Sequence, residues 1–196
     1  MNPGGATDGT GSAGGGAAPA RRVLVVTGSP GEGKTTRCRR LVQEARGAGL
    51  MVRGVLTFDT PDGTSVVRWL EDLGSGERMV LGRKAPLGQT AVGAPRWSLD
   101  EAALARCEAI LMGACPTDVL VIDEVGPVEL LHQRGSLAGV VQALQGPYGV
   151  AIVVVRPWLV SRFLKIVPDG RATVLHARDD GAFDDPFADL ATGGAS

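Results

Sequence analysis

One octapeptide constrains this chain more than any other feature. Gly28-Ser-Pro-Gly-Glu-Gly-Lys34-Thr35 fits the pattern G-x-x-x-x-G-K-[ST]. It follows the apolar run Val23-Leu-Val-Val-Thr27 and opens a stretch, 34–47, in which Leu41 and Ala45 fall on one helical face. A continuous apolar run bounded by a glycine turn reads as a strand buried on both faces, the pattern of a parallel sheet. Strand, glycine loop and helix in that order give the pattern its chemical meaning. Gly28, Gly31 and Gly33 let consecutive N–H groups converge on a phosphate. The start of the helix adds its positive dipole end. The candidate nucleotide-binding residues are therefore Gly28, Ser29, Pro30, Gly31, Glu32, Gly33, Lys34, Thr35 and Thr36. Lys34 is expected to reach the β- and γ-phosphates as a catalytic cation, and the Thr35 hydroxyl to ligate Mg²⁺.

A second apolar run, Val119-Leu-Val-Ile122, ends in Asp123-Glu124. In an open α/β sheet, ligands sit at the carboxyl ends of the strands. Asp123 is thus the candidate second Mg²⁺ ligand, and Glu124 the candidate general base that polarises an attacking water. The same residues read Asp123-Glu-Val-Gly126, a D-x-x-G string found in guanine-nucleotide switches. Such switches read the base with N/T-K-x-D. Here the sole Asn is Asn2 and no Lys follows Thr, so that device is excluded. Arg156 follows the strand expected over 149–155, where it faces the phosphates. It is a candidate cis arginine finger, or else a strand-end cation stacked on Trp158.

The remaining pattern alternates strand and helix. Strands are expected at 52–57, 119–122, 149–155 and 172–175, and helices at 136–145 and 158–166. Pro61-Asp62-Gly63 is a turn, so 64–69 and 78–81 form a small antiparallel insertion. Ser98-Leu-Asp-Glu101 reads as a capping box that opens a helix running to about Gly113. The fold class is α/β: a three-layer P-loop arrangement with a mainly parallel sheet.

Composition divides the chain of 196 residues. Residues 1–20 hold seven of its 29 Gly and no branched aliphatic or aromatic side chain, so they read as a disordered tail without a secretory h-region. All 20 Lys and Arg lie within 21–178, whereas Asp8, Asp179, Asp180, Asp184, Asp185 and Asp189 lie outside; a formal charge of −1 thereby conceals a core of about +5. A basic core suits a polyphosphate. Residues 179–196 read as an acidic, flexible tail. Cys38, Cys107 and Cys115 lack metal-ligand spacing and read as reduced apolar filler in a cytosolic protein. His132 and His176 form no cluster, and Arg37, Arg39 and Arg40 spread around their helix as a solvated face. No apolar run approaches the roughly 20 residues that span a membrane, and no nucleic-acid site stands out.

The phosphate loop ending Gly33-Lys-Thr-Thr36, taken with Val121-Ile-Asp-Glu-Val-Gly-Pro-Val-Glu-Leu130, resembles the thermophile-derived nucleoside-triphosphatases, relatives of the cancer-related nucleoside-triphosphatase. Gly54-Val-Leu-Thr57 resembles that family's G-F-x-T strand, and Val92-Gly93 its V-G-x-Y segment; the resemblance spans roughly 22–176. It implies a compact P-loop domain that slowly hydrolyses several nucleoside triphosphates, ATP and GTP among them, to diphosphate and phosphate with Mg²⁺. It also implies that Lys34, Thr35, Asp123 and Glu124 match functional positions, and Glu129 a supporting carboxylate or a structural one. Three departures stand out. Pro127 replaces a family lysine, Thr57-Phe58-Asp59 replaces Thr-Glu-Glu, and His176-Ala-Arg178-Asp-Asp replaces the E-N-R segment.

The expected function is Mg²⁺-dependent hydrolysis of nucleoside triphosphates with relaxed base preference, by a cytoplasmic monomer. The alternatives are a nucleotide or small-molecule kinase, and a nucleotide-gated adaptor that docks a protein partner through Pro127–Leu131 and the acidic tail. The absence of an Arg-rich lid between 125 and 165 counts against the kinase.

Overall fold

The computed structural model describes residues 21–85, 97–168, 172–179 and 185–191. Residues 1–20, most of 179–196 and Val92-Gly93 lie outside that set.

The first strand, β1 (Arg22–Thr27), leads through the glycine loop into helix α1 (Lys34–Gly47). Strand β2 (Val52–Asp62) continues five residues past its expected end, because it forms a hairpin with β3 (Ser65–Asp72). Then come β4 (Arg78–Lys84), the short β5 (Trp97–Leu99), helix α2 (Glu101–Met112) and β6 (Thr117–Val125). The single turn α3 (Pro127–Leu130) precedes α4 (Leu137–Gln145) and β7 (Tyr148–Val155). A 3₁₀ turn (Pro157–Leu159), α5 (Val160–Phe163), β8 (Ala172–His176) and α6 (Ala188–Ala191) complete the chain.

All eight strands form one sheet, ordered β5-β4-β3-β2-β6-β7-β1-β8. From β2 to β8 every pairing is parallel; β3, β4 and β5 extend the sheet antiparallel. α1 covers one face, where Leu41, Val42 and Ala45 meet Leu24, Val26, Val121 and Ile152. α2, α4 and α5 cover the other through Leu111, Val140, Leu144 and Phe163. These are the three layers that the strand–helix alternation requires. No described helix is long and apolar enough to cross a membrane.

Three details differ from the sequence reading. The cap of α2 is Asp100, whose side chain accepts the Ala103 N–H at 2.8 Å; Ser98 is taken by the β5 ladder, paired with Arg83. The helix expected over 158–166 is broken into tighter turns, with Lys165 N–H donating to Arg162 and Ile166 N–H to Phe163, each three residues back. Packing also extends beyond residue 178. Phe187 is buried among Leu24, Val26 and Leu175, and the Arg22 guanidinium donates to the Pro186 carbonyl at 2.7 Å.

Candidate functional site

Strand register brings the two sequence motifs together. Val26 of β1 and Asp123 of β6 both pair with Val154 of β7, so they lie level on either side of it. The glycine loop begins two residues beyond Val26. Thr27 is level with His176 of β8, and Val55 of β2 with Ile122. The carboxyl edge of the parallel strands therefore gathers the loop, Asp123-Glu124, Arg156, His176 and Thr57.

In the loop, Gly31 and Gly33 stand at φ +82° and +86°, the left-handed region that favours a residue without Cβ. Gly33 caps α1, and the Lys34 ammonium turns back over the loop to donate to the Gly28 and Ser29 carbonyls at 2.8 and 2.9 Å. Glu32 also closes on the loop, since its Oε2 accepts the Ser29 N–H at 2.6 Å. Its carboxylate lies 3.4 Å from His176 Nε2 and 3.5 Å from an Arg178 nitrogen. The segment that replaces the expected E-N-R string thus reaches the phosphate loop itself. Thr35 stands half-buried on the first turn of α1, and Thr36 is exposed.

Asp123 is buried, and its Oδ2 accepts the Thr57 N–H at 3.1 Å and the Thr57 hydroxyl at 3.3 Å. Burial pushes its carboxyl up to about 7 against the opposing Thr57 N–H; the neighbouring Glu124 charge adds to the rise, while the Thr57 hydroxyl and Arg68 resist it. Two hard oxygen donors, the Thr35 hydroxyl and the remaining Asp123 oxygen, suit a Mg²⁺ ion that takes its other ligands from phosphate and water. Glu124 is held from two sides. Arg156 Nε donates to its Oε1 at 2.7 Å, and an Arg68 nitrogen lies 3.6 Å from Oε2. Arg156 thus reaches Glu124, and Trp158 is left 58% exposed.

Other candidates serve the fold. Glu129 is buried, and its Oε2 accepts the Gly126 N–H at 3.0 Å at the start of α3, a turn that Pro127 opens. Cys38 and Cys107 are buried free thiols; burial raises the first well above its ordinary range and the second to about 11. Arg40 pairs with Glu44, and Arg39 lies over the Phe58 ring at 4.7 Å, so the basic residues after the loop do divide around α1. The sequence pointed to Asp59 only as a departure at a strand end, and Arg68 not at all. Their side chains meet because Asp59 and Arg68 are register partners across the β2–β3 hairpin. The turn signal at 61–63 was the only hint of that pairing.

Comparison with known proteins bears on the family and the fold. The family model for NTPase matches residues 23–175. Nucleoside-triphosphatase THEP1 of Ignicoccus hospitalis is 39% identical over 108 residues, covering 55% of this chain and 60% of the relative. That of Thermofilum pendens is 31% identical over 126 residues, 64% of this chain and 69% of the relative. The chain spans about three-fifths of the length of the first curated relatives it matches. The crystal structure of THEP1 from Aquifex aeolicus superposes with a TM-score of 0.51 at 19% identity, covering 79% of this chain and 89% of that one, which supports the fold.

Proposed function

We propose that this chain, which belongs to the NTPase family, hydrolyses nucleoside triphosphates to diphosphate and phosphate, slowly and with relaxed base preference. The observation that carries the reading is the meeting, at one strand edge, of the Lys34 loop and a glutamate held by an arginine. Loop amides and Lys34 bind the phosphates; the Lys34 ammonium exchanges its two carbonyl partners for phosphate oxygens. Thr35 and Asp123 would hold Mg²⁺, which would supply positive charge against the phosphates. Glu124 accepts a proton as water attacks the γ-phosphorus and the bond to the β-phosphate oxygen breaks. Arg156, 40% exposed and bound to Glu124 through one nitrogen, leaves it to meet charge on the transferred phosphoryl group. The three free cysteines fit a cytosolic protein, and we read it as a monomer.

Phosphate release is to be measured with ATP, GTP, CTP and UTP, with Mg²⁺ and with EDTA. Release from all four without an added acceptor, and its loss in EDTA, is the expected result. Release only with an acceptor present makes the protein a kinase; tight binding without release makes it a nucleotide-gated adaptor.

A further inference from the structure

Two arginines contact Glu124, and they are held differently. Arg156 reaches it by one hydrogen bond from a half-exposed side chain, and Glu124 is its ion-pair partner among the described residues. Arg68 is fixed before it touches Glu124 at all. Its Nε and one terminal nitrogen donate to the two oxygens of Asp59 at 2.8 and 3.0 Å, a planar fork that sets both position and tilt. The guanidinium carbon lies 4.2 Å from the centre of the Trp97 ring, which covers one face of the plane. With two nitrogens on Asp59, the third is the one that faces Glu124 Oε2, at an ion-pair distance of 3.6 Å. Its side chain is 23% exposed, so the charge is only partly screened by water.

We infer that Arg68 is the positioning residue for Glu124: it holds Oε2 so that Oε1, vacated by Arg156, faces the attacking water. The inference rests on the reading of Glu124 as general base. A carboxylate carried by a strand end and gripped at one oxygen keeps its orientation while its other oxygen changes partner. The grip comes from the antiparallel extension. Asp59 and Arg68 belong to the β2–β3 hairpin, and Trp97 to β5. The extension is thus part of the catalytic apparatus without supplying a group that touches the nucleotide.

The test measures single-turnover and steady-state phosphate release from ATP with Mg²⁺, together with ATP dissociation constants by calorimetry. The variants are Arg68→Gln, Arg68→Lys, Glu124→Gln and the Arg68→Gln/Glu124→Gln double. Arg68→Gln is expected to lower kcat about tenfold, the scale of a misplaced reacting group, with KM and ATP affinity unchanged. Arg68→Lys restores part of the loss, because a point charge stays near Oε2 without the fork to Asp59. In the Glu124→Gln background, Arg68→Gln brings no further loss, since the group it acts through is gone. If Arg68→Gln does not fold, Arg68→Lys and Asp59→Asn carry the same test, each with a smaller fall in kcat at constant KM.

Wild-type kcat in the Arg68 variants overturns the positioning role and leaves Glu124 intact as base. A further loss in the Glu124→Gln background also overturns it, by giving Arg68 a separate effect. So does a loss that appears in ATP affinity as much as in kcat. Wild-type turnover in Glu124→Gln is the distinct result that removes the base itself.

Discussion

In the sheet order from β2 to β8 the strands run parallel, and helices bury the central ones on both faces; from β2 to β5 they run antiparallel, and burial is partial. Along β7 every residue from Tyr148 to Val155 is buried. Along β3 full burial is confined to Val67 and Leu70, while Arg68 and Trp69 lie half-buried beside them. The parallel half is held by apolar packing and gathers Asp123, Glu124 and Arg156 at its carboxyl edge. The antiparallel half carries charge and aromatic rings along its length. Arg68–Asp59, Arg78–Glu71 and Arg83–Asp62 pair across it, and Phe58 stacks with Trp69 at 6.5 Å. A phosphate site needs a rigid edge with backbone amides and a strand-end carboxylate, which parallel strands supply. Fixing that carboxylate's orientation needs side chains that converge laterally, which an adjoining antiparallel hairpin supplies through register.

The largest effect is expected at the seam between the halves. Gly54 of β2 pairs with Val121 of β6 at φ +111°, and a Cβ there would overlap the Val121 carbonyl. Gly54→Ala should cost about 3 kcal/mol or more in urea unfolding, because strain and collision act together. If the halves are one cooperative unit, ATP binding falls in the same urea range. A variant as stable as wild type would show that the seam relaxes freely.

A smaller effect is expected where the seam meets the site. Asp123 ionises only near pH 7 when folded, against an ordinary carboxylate range when unfolded. Folding therefore takes up a proton between about pH 4 and pH 7, and stability falls as pH rises through that window. Asn at 123 can still accept from Thr57 and carries no buried charge. In EDTA and without nucleotide, Asp123→Asn should melt higher than wild type at pH 8, with the gap closing toward pH 4. A variant that melts lower at pH 8 would contradict the burial cost.

What the sequence made legible follows the same division. The strands 23–27, 119–122 and 149–155 were readable because double-sided burial writes unbroken apolar runs. The loop was readable because phosphate binding fixes glycines and a lysine at set spacings. The Asp59–Arg68 fork was not, since it depends on the register of the β2–β3 hairpin, which local sequence does not fix. The cap at Asp100 was missed because local spacing favoured Ser98, and the strand partner of Ser98 is distant in sequence. The packing of Phe187 escaped notice because one aromatic among acids carries no period.

On this reading Glu124 takes the proton of water and nucleotide binding does not depend on it. Single-turnover phosphate release and ATP calorimetry on Glu124→Gln test it most directly. The Gln Oε1 can still accept from Arg156, so the resting geometry is kept. ATP affinity is expected to stay unchanged and turnover to fall by about 100-fold or more. Turnover equal to wild type at unchanged affinity would contradict it.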